Sequence, residues 1–402
     1  MENENNKLFE FKYWSRYHFI ALAVPIFCML TTYLQKEELA LYKLNDNQKI
    51  KVFPYFFNIF ISKLLSIIFV LLKKLINKRN NNKVETKNMR RYHLGVNNKV
   101  KKIKAAFLII SISILELIFK IEGYNIIGNK NYIELKLGFL LIVPILSIFI
   151  LKKQLFKHHY FAFSISFIAF ILVCLSSHFY SKRREAKEQV RHLFYSIPLG
   201  LAFVLIKYLY EFSFVDAFSF LFYDGILCII IPFISIGLIS IFEGTDYFID
   251  NMKGVKYLFA EKEIIILFIF VVICSFGYYL SNALTIYIFN PSLMVMTDIL
   301  SPIFRWVIEV FRDNEKTENN FIWIAILKGI GFLFIIFSSV VFNEILILHF
   351  CGFDKNIEGN LMIRANREIS VENEDFSISM SREDEEDISV DKTNQYELSN
   401  IK

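Results

Sequence analysis

The chain carries apolar runs that no water-facing surface could absorb. YHFIALAVPIFCMLTTYLQ (17–35), FIAFILVCL (167–175, inside a longer segment) and EIIILFIFVVICSFGYYL (263–280) reach or approach the roughly 20 apolar residues that cross a bilayer core. Such a run in lipid can satisfy its own N–H and C=O groups only as a helix. A hydrophobic content of 55% agrees, because a soluble chain needs more charge to cover its surface. The expected class is therefore an all-α, polytopic membrane protein. Spans are expected near 17–35, 53–74, 105–121, 134–151, 158–180, 192–213, 217–241, 263–288, 290–311 and 320–349, ten transmembrane helices in all. The last run exceeds what a bilayer needs, so it is expected to tilt or project.

Charge orients these spans. KKLINKRNNNKVETKNMRRYHLGVNNKVKKIK (73–104) holds 12 Lys/Arg against the single Glu85. Its only aromatic is Tyr92, too little interleaving for nucleic-acid binding, so it reads as a cytoplasmic loop under the positive-inside rule. The segment 1–16 is charged and unlike a secretory leader, so it is placed on the same cytoplasmic side. From Phe353 to Lys402 there are 13 Asp/Glu against 6 Lys/Arg, which leaves the rest of this +6 chain at +13. That acidic C-terminal tail, 350–402, is expected to be disordered. SKRREAKEQVRH (181–192) fits the scheme poorly, since its Lys/Arg fall on the outer side.

Functional signals of other kinds are few. The five cysteines (Cys28, Cys174, Cys228, Cys274, Cys351) form no C-x-x-C pair, so no disulfide framework or zinc site is expected. There is no Walker A sequence, and the one N-x-S tripeptide is blocked by Pro291. His158-His159 and His349-x-Cys351 lack metal-ligand company and read as structural or interfacial. No metal and no cofactor is expected.

Two stretches match internally. IELKLGFLLIVPILSIFILKKQ (133–154) set above PSLMVMTDILSPIFRWVIEVFR (291–312) superposes Pro144 on Pro302. Each follows a polar, Asn-containing break and precedes one more long apolar span. Five spans plus five is the simplest parse: a first repeat at 17–180, a connector at 181–191 and a second repeat at 192–349. An odd number of crossings per repeat requires the second to be inverted, the arrangement that builds many secondary transporters.

With these residues the chain resembles the drug/metabolite transporter superfamily, which includes EamA-type carriers and nucleotide-sugar translocators. The likeness rests on LKLGFLLIVPILSIFILKKQLFKHHYFAFSISFIAFILV (135–173) and on NPSLMVMTDILSPIFRWVIEVF with IAILKGIGFLFIIFSSVVFNEILIL (324–348). It implies a ten-helix fold with a central cavity lined partly by spans four and nine. Lys152, Lys153 and Gln154 stand where the family often has a Gly-Glu pair after span four.

Ionisable residues at membrane depth are the site candidates, because exposing one to lipid costs about 2.5–3.5 kcal/mol or more. Asp298, Ser301, Pro302 and Arg305 fall at i, i+3, i+4 and i+7 and so share one helical face, expected to line the cavity. Asp298 and Arg305 are about 10 Å apart along the axis, too far to pair. Pro302 frees the carbonyl of Asp298 as a ligand, and the alternative is that Asp298 pairs structurally with a lysine or tyrosine of another span. Glu116 is either a coupling carboxylate or the i+4 partner of Lys120. Tyr278, Tyr279, Ser281 and Asn282 precede the break at Asn290-Pro291 and suit a polar organic solute; interfacial anchoring is the plain alternative. Asn58, Lys63, Asp224, Lys328, Asn343 and Glu344 are further polar residues within spans.

The expected function is a secondary transporter of a small polar organic solute by alternating access, and not an enzyme. A membrane-embedded transferase or a multi-pass receptor or scaffold is the alternative. The expected partners are the solute and membrane lipid, without nucleic acid, and a homodimer stays open. The resemblance favours an internal membrane over the plasma membrane.

Overall fold

Residues 9–11, 18–45, 52–80, 98–126, 132–180, 185–213, 215–244, 262–312 and 319–349, with scattered positions between 248 and 259, are described by the structure, a computed structural model. The tail 350–402, most of segment 1–16 and the middle of the basic loop lie outside the described residues.

Eleven helices are described: α1 (His18–Asn45), α2 (Val52–Leu64), α3 (Ser66–Asn80), α4 (Asn98–Ile126), α5 (Tyr132–Leu151), α6 (Lys157–Tyr180), α7 (Glu185–Ser213), α8 (Ala217–Glu243), α9 (Lys262–Ile288), α10 (Pro291–Arg312) and α11 (Asn319–Phe342). Leu65 alone separates α2 from α3, so these two form one interrupted rod and the count becomes ten. Seven stretches are long and apolar enough to cross a membrane: Phe56–Lys73, Lys157–Ser176, Ser196–Ser213, Ala217–Phe242, Lys262–Ile288, Pro291–Ile308 and Trp323–Phe342. Phe19–Gln35 and Leu137–Leu151 are apolar but shorter. This architecture is compatible with a multi-pass membrane protein.

One expectation is corrected. The last run does not continue as helix to 349: α11 stops at Phe342, Glu344 takes a left-handed backbone (φ 55°), and Leu346–Leu348 form a strand, β2. It pairs antiparallel with β1 (Phe9–Phe11), Phe9 opposite Leu348 and Phe11 opposite Leu346, a small exception in an otherwise all-helical chain. The β-branched and aromatic residues of LIL and FEF pair as strands once Glu344 has ended the helix. α7 begins at Glu185, and α3 and α4 extend into both ends of the basic loop.

The chain divides into two compact units, one with Met1–Lys12, Phe156–His158 and Glu344–Lys402, the other with Tyr13–Leu155 and His159–Asn343. The first contains the strand pair and an ion pair, His158 Nε2 to Glu344 Oε1 at 3.3 Å. The second contains the packed helices.

Local chemistry sets the helix ends. Asp216 caps α8, its carboxylate accepting from the Ser219 N–H at 3.2 Å and the Ser219 hydroxyl at 2.9 Å. Gly244 ends α8 at φ 99°, with its N–H on the Ser240 carbonyl. Between α9 and α10, the Asn290 side chain accepts from the Leu293 N–H at 2.7 Å while Pro291 occupies the first helical position, where a missing N–H costs nothing. Lys152, just past α5, sits at φ 53°, the conformation that favours glycine. Lys152→Gly is therefore expected to raise thermal stability by about 1 kcal/mol, measured by melting the purified chain in detergent.

Within the larger unit the main helix pairings come in matched sets. α1 packs on α9 and α7 on α4; α7 packs on α5 and α1 on α10; α9 packs on α2 and α8 on α4. The α2–α3 rod packs on α8, and α5 on α10. Exchanging the first five rods (α1, α2–α3, α4, α5, α6) for the second five (α7 to α11) maps this set onto itself. Smaller contacts, α9 on α8 among them, break the match.

The distribution of side chains is inverted relative to a water-soluble protein. Phe242, Phe149, Trp323 and Phe107 are among the exposed residues, while Lys63, Asp224, Asp298 and Glu116 are buried.

Candidate functional site

The most polar point among the described residues lies where α2, α4, α8 and α9 meet. Lys63 comes from the last turn of α2, directly before the interruption at Leu65. There the Ile68 N–H bonds the Leu65 carbonyl, and the Ser62 hydroxyl donates to the Asn58 carbonyl at 2.6 Å. Such back-bonding competes with the helix ladder and helps bend it.

The Lys63 ammonium, 1% exposed, donates to Glu116 Oε2 at 2.8 Å and to Asp224 Oδ2. Asp224 is 0% exposed, and its other oxygen accepts from the Ser113 hydroxyl at 2.6 Å. That hydroxyl has one proton and also lies 2.9 Å from the Ile109 carbonyl, so the two acceptors compete for it. Cys228, one turn after Asp224, places its sulfur 3.8 Å from Nζ, and the Tyr279 ring lies 4.8 Å from Nζ by its centroid. An ammonium has three donors, and here two go to carboxylates while the ring face and the sulfur flank it.

Packing leaves little slack around this cluster. A Cβ on Gly225 would come 2.9 Å from Lys63 Cβ and 3.3 Å from the Lys63 carbonyl carbon. Gly225→Ala is expected to separate α8 from α2 and to cost about 1–3 kcal/mol, read as a lower melting temperature. Glu116, Asp224 and Cys228 each bring one ligand atom to within 4.8 Å of the others. A divalent metal there would have to displace the Lys63 ammonium from both carboxylates.

A second polar region surrounds Asp298 on α10. The Tyr278 hydroxyl donates to Asp298 Oδ1 at 3.2 Å, so a tyrosine from a neighbouring helix is a partner of this carboxylate. Asp298, Ser301 and Pro302 are buried and Arg305 is half-buried, which turns their shared face inward. Asn282 is buried on α9, and its side-chain oxygen has no hydrogen-bond partner among the described residues; the Ser275 hydroxyl, two turns earlier, is in the same state. Ser275, Tyr278, Tyr279 and Asn282 stand at i, i+3, i+4 and i+7 and form one polar stripe along α9. Tyr278 touches Asp298 and Tyr279 touches Lys63, and their ring centroids are 5.5 Å apart. The two regions are thus linked by adjacent residues of one helix.

The sequence candidates therefore separate. Asp298, Ser301, Asn282 and Tyr278 belong to the α9–α10 region, whereas Glu116 belongs to the Lys63 cluster. Glu116, read as either a coupling carboxylate or the i+4 partner of Lys120, is bonded to Lys63; the Lys120 side chain lies outside the described residues. Pro144 and Pro302 lie within α5 and α10, which remain helical through them, and Pro291 starts α10. α5 and α10 pack against each other, and the small crevice beside them is mainly apolar, with Phe139, Val143, Pro144 and Val295 among its walls. Lys63 and Asp224 were overlooked as a pair. The available signal was a lysine in the centre of FNIFISKLLSIIF, which membrane-depth energetics flags as strongly as Asp298.

Compared with protein-family models and with curated proteins, the chain matches none of them.

Proposed function

We propose that this chain is a secondary transporter, built from two inverted five-helix repeats, that moves a small polar organic solute across a membrane. The observation that carries this reading is the composition of the Lys63 cluster. Its four helices form two of the pairs that exchange with one another: α2 with α8, and α4 with α9. The cluster therefore lies where a two-fold relating the halves would pass, the position at which inverted-repeat transporters place their sites. The interruption of α2–α3 beside Lys63 adds to this, since discontinuous helices supply such sites.

Two further features support the membrane topology. Apolar side chains outside and charged ones inside suit a lipid surround. Phe9–Phe11, ahead of α1, are hydrogen-bonded to Leu346–Leu348, beyond α11. A two-stranded pair has open edges and does not belong in hydrocarbon, which favours an even number of crossings.

In this reading the α9 stripe and the α10 face bind the solute. Asp298 and the Asn282 oxygen are acceptors, so they favour a solute rich in hydroxyl or amino groups. The test is reconstitution of the purified chain in liposomes with a mixture of labelled polar metabolites inside and out. At least one metabolite is expected to exchange faster than in protein-free liposomes. Exchange at the protein-free rate for the whole mixture overturns the reading.

A further inference from the structure

Asp224 is held by groups of the opposite five-helix set. Lys63 and Ser113, which satisfy its two oxygens, belong to α2 and α4 in the first five-helix set, while Asp224 stands on α8 in the second. Its same-helix neighbour is the Cys228 thiol, 4.0 Å away. The groups facing it are therefore Lys63 from α2, Glu116 and Ser113 from α4, Tyr279 from α9 and Cys228 from its own helix. Tyr210 of α7 packs edge-on against Phe220 of α8, one turn before Asp224. Tyr210 is 5% exposed and its hydroxyl has no hydrogen-bond partner among the described residues. From α3, Lys73 is occupied at the exposed margin by Asp216 at 3.1 Å.

We propose that Asp224 is the site of an exchangeable monovalent cation, a proton or a sodium ion, which replaces the Lys63 ammonium when the halves move apart. The exchange step rests on the transporter reading above. The argument is one of charge at depth. In the packed state the ammonium is bonded to Asp224 and shared with Glu116. Any rocking that moves α8 away from α2 and α4 removes the ammonium and the Ser113 donor together. The carboxylate is then left in a poorly solvated interior, where an unpaired charge costs several kcal/mol, and a small cation restores neutrality. Lys63 stays with Glu116 on its own half throughout.

A hydrophobic carbodiimide tests this without any solute. It adds across a protonated carboxyl in an apolar setting, and the adduct rearranges to a stable N-acylurea with all atoms retained. The full chain in liposomes is labelled over a range of pH, with and without sodium chloride, and the modified residue is located by mass spectrometry. Label at Asp224 that falls several-fold as pH rises identifies the proton; label that sodium also suppresses several-fold identifies sodium competing at the same oxygens. Asp224→Asn, which retains both hydrogen-bonding oxygen and size, is expected to lose that label while staying monodisperse. Absence of label at Asp224 at every pH, or label indifferent to both pH and sodium, overturns the proposal. Metabolite exchange is measured on the same liposomes: its absence with the Asp224 label intact counts against the transporter reading and leaves the cation site standing.

Discussion

Lys63→Met lowers the stability of the purified chain by about 3–5 kcal/mol, read as a depressed melting temperature in detergent and a smaller folded fraction. The magnitude follows from what remains. Methionine matches the aliphatic stem of lysine, so the packing against Gly225 and Tyr279 survives and the loss is electrostatic. Asp224, at 0% exposure, keeps only the Ser113 hydroxyl and the Cys228 thiol. Adding Asp224→Asn and Glu116→Gln removes both stranded charges, so the triple variant is expected to regain most of the lost stability, because neutral isosteres often replace a buried ion pair at little cost. Melting of all three proteins side by side checks this. A Lys63→Met chain as stable as the parent would show that the ammonium is not needed to hold the carboxylates. Failure of the triple variant to recover would assign the loss to packing.

Asp298→Asn is expected to reduce exchange of the transported solute roughly 10- to 150-fold, the equivalent of about 1.5–3 kcal/mol for a hydrogen bond to a charged group. Asparagine still presents an oxygen to the Tyr278 hydroxyl, so the α9–α10 contact persists and melting changes by less than about 1 kcal/mol. The two readouts separate the roles open to this residue. Lost exchange with retained melting places Asp298 at the solute. Retained exchange with lower melting makes the Asp298–Tyr278 bond structural, and the solute site then has to lie elsewhere on the α9 stripe. The neutral residues Ser275 and Asn282, two turns apart on that stripe, are the next positions to replace in that case.

The helices could be read from sequence because each announces itself locally. Apolar runs of span length, the cap at Asn290-Pro291 and the proline pair Pro144/Pro302 all lie within a few residues of the elements they define. The end of the last helix was harder. VVFNEILILHF is apolar throughout, and only the left-handed backbone at Glu344 together with a partner strand more than three hundred residues away, Phe9–Phe11, turns its last part into β structure. Hydropathy does not encode such a partner.

The site divides the same way. That Asp298, Ser301 and Arg305 share a face follows from helical periodicity, and that Glu116 is costly at depth follows from its neighbours in the chain. Which carboxylate takes which cation does not. Glu116 has a lysine four residues on, the pairing that local rules favour, yet it bonds Lys63, fifty-three positions earlier, on a helix brought there by the packing of α2 and α4 around α8. Burial energies are set by composition and are legible one residue at a time, whereas neutralising a buried charge is a relation between residues, decided only when the helices have chosen their neighbours.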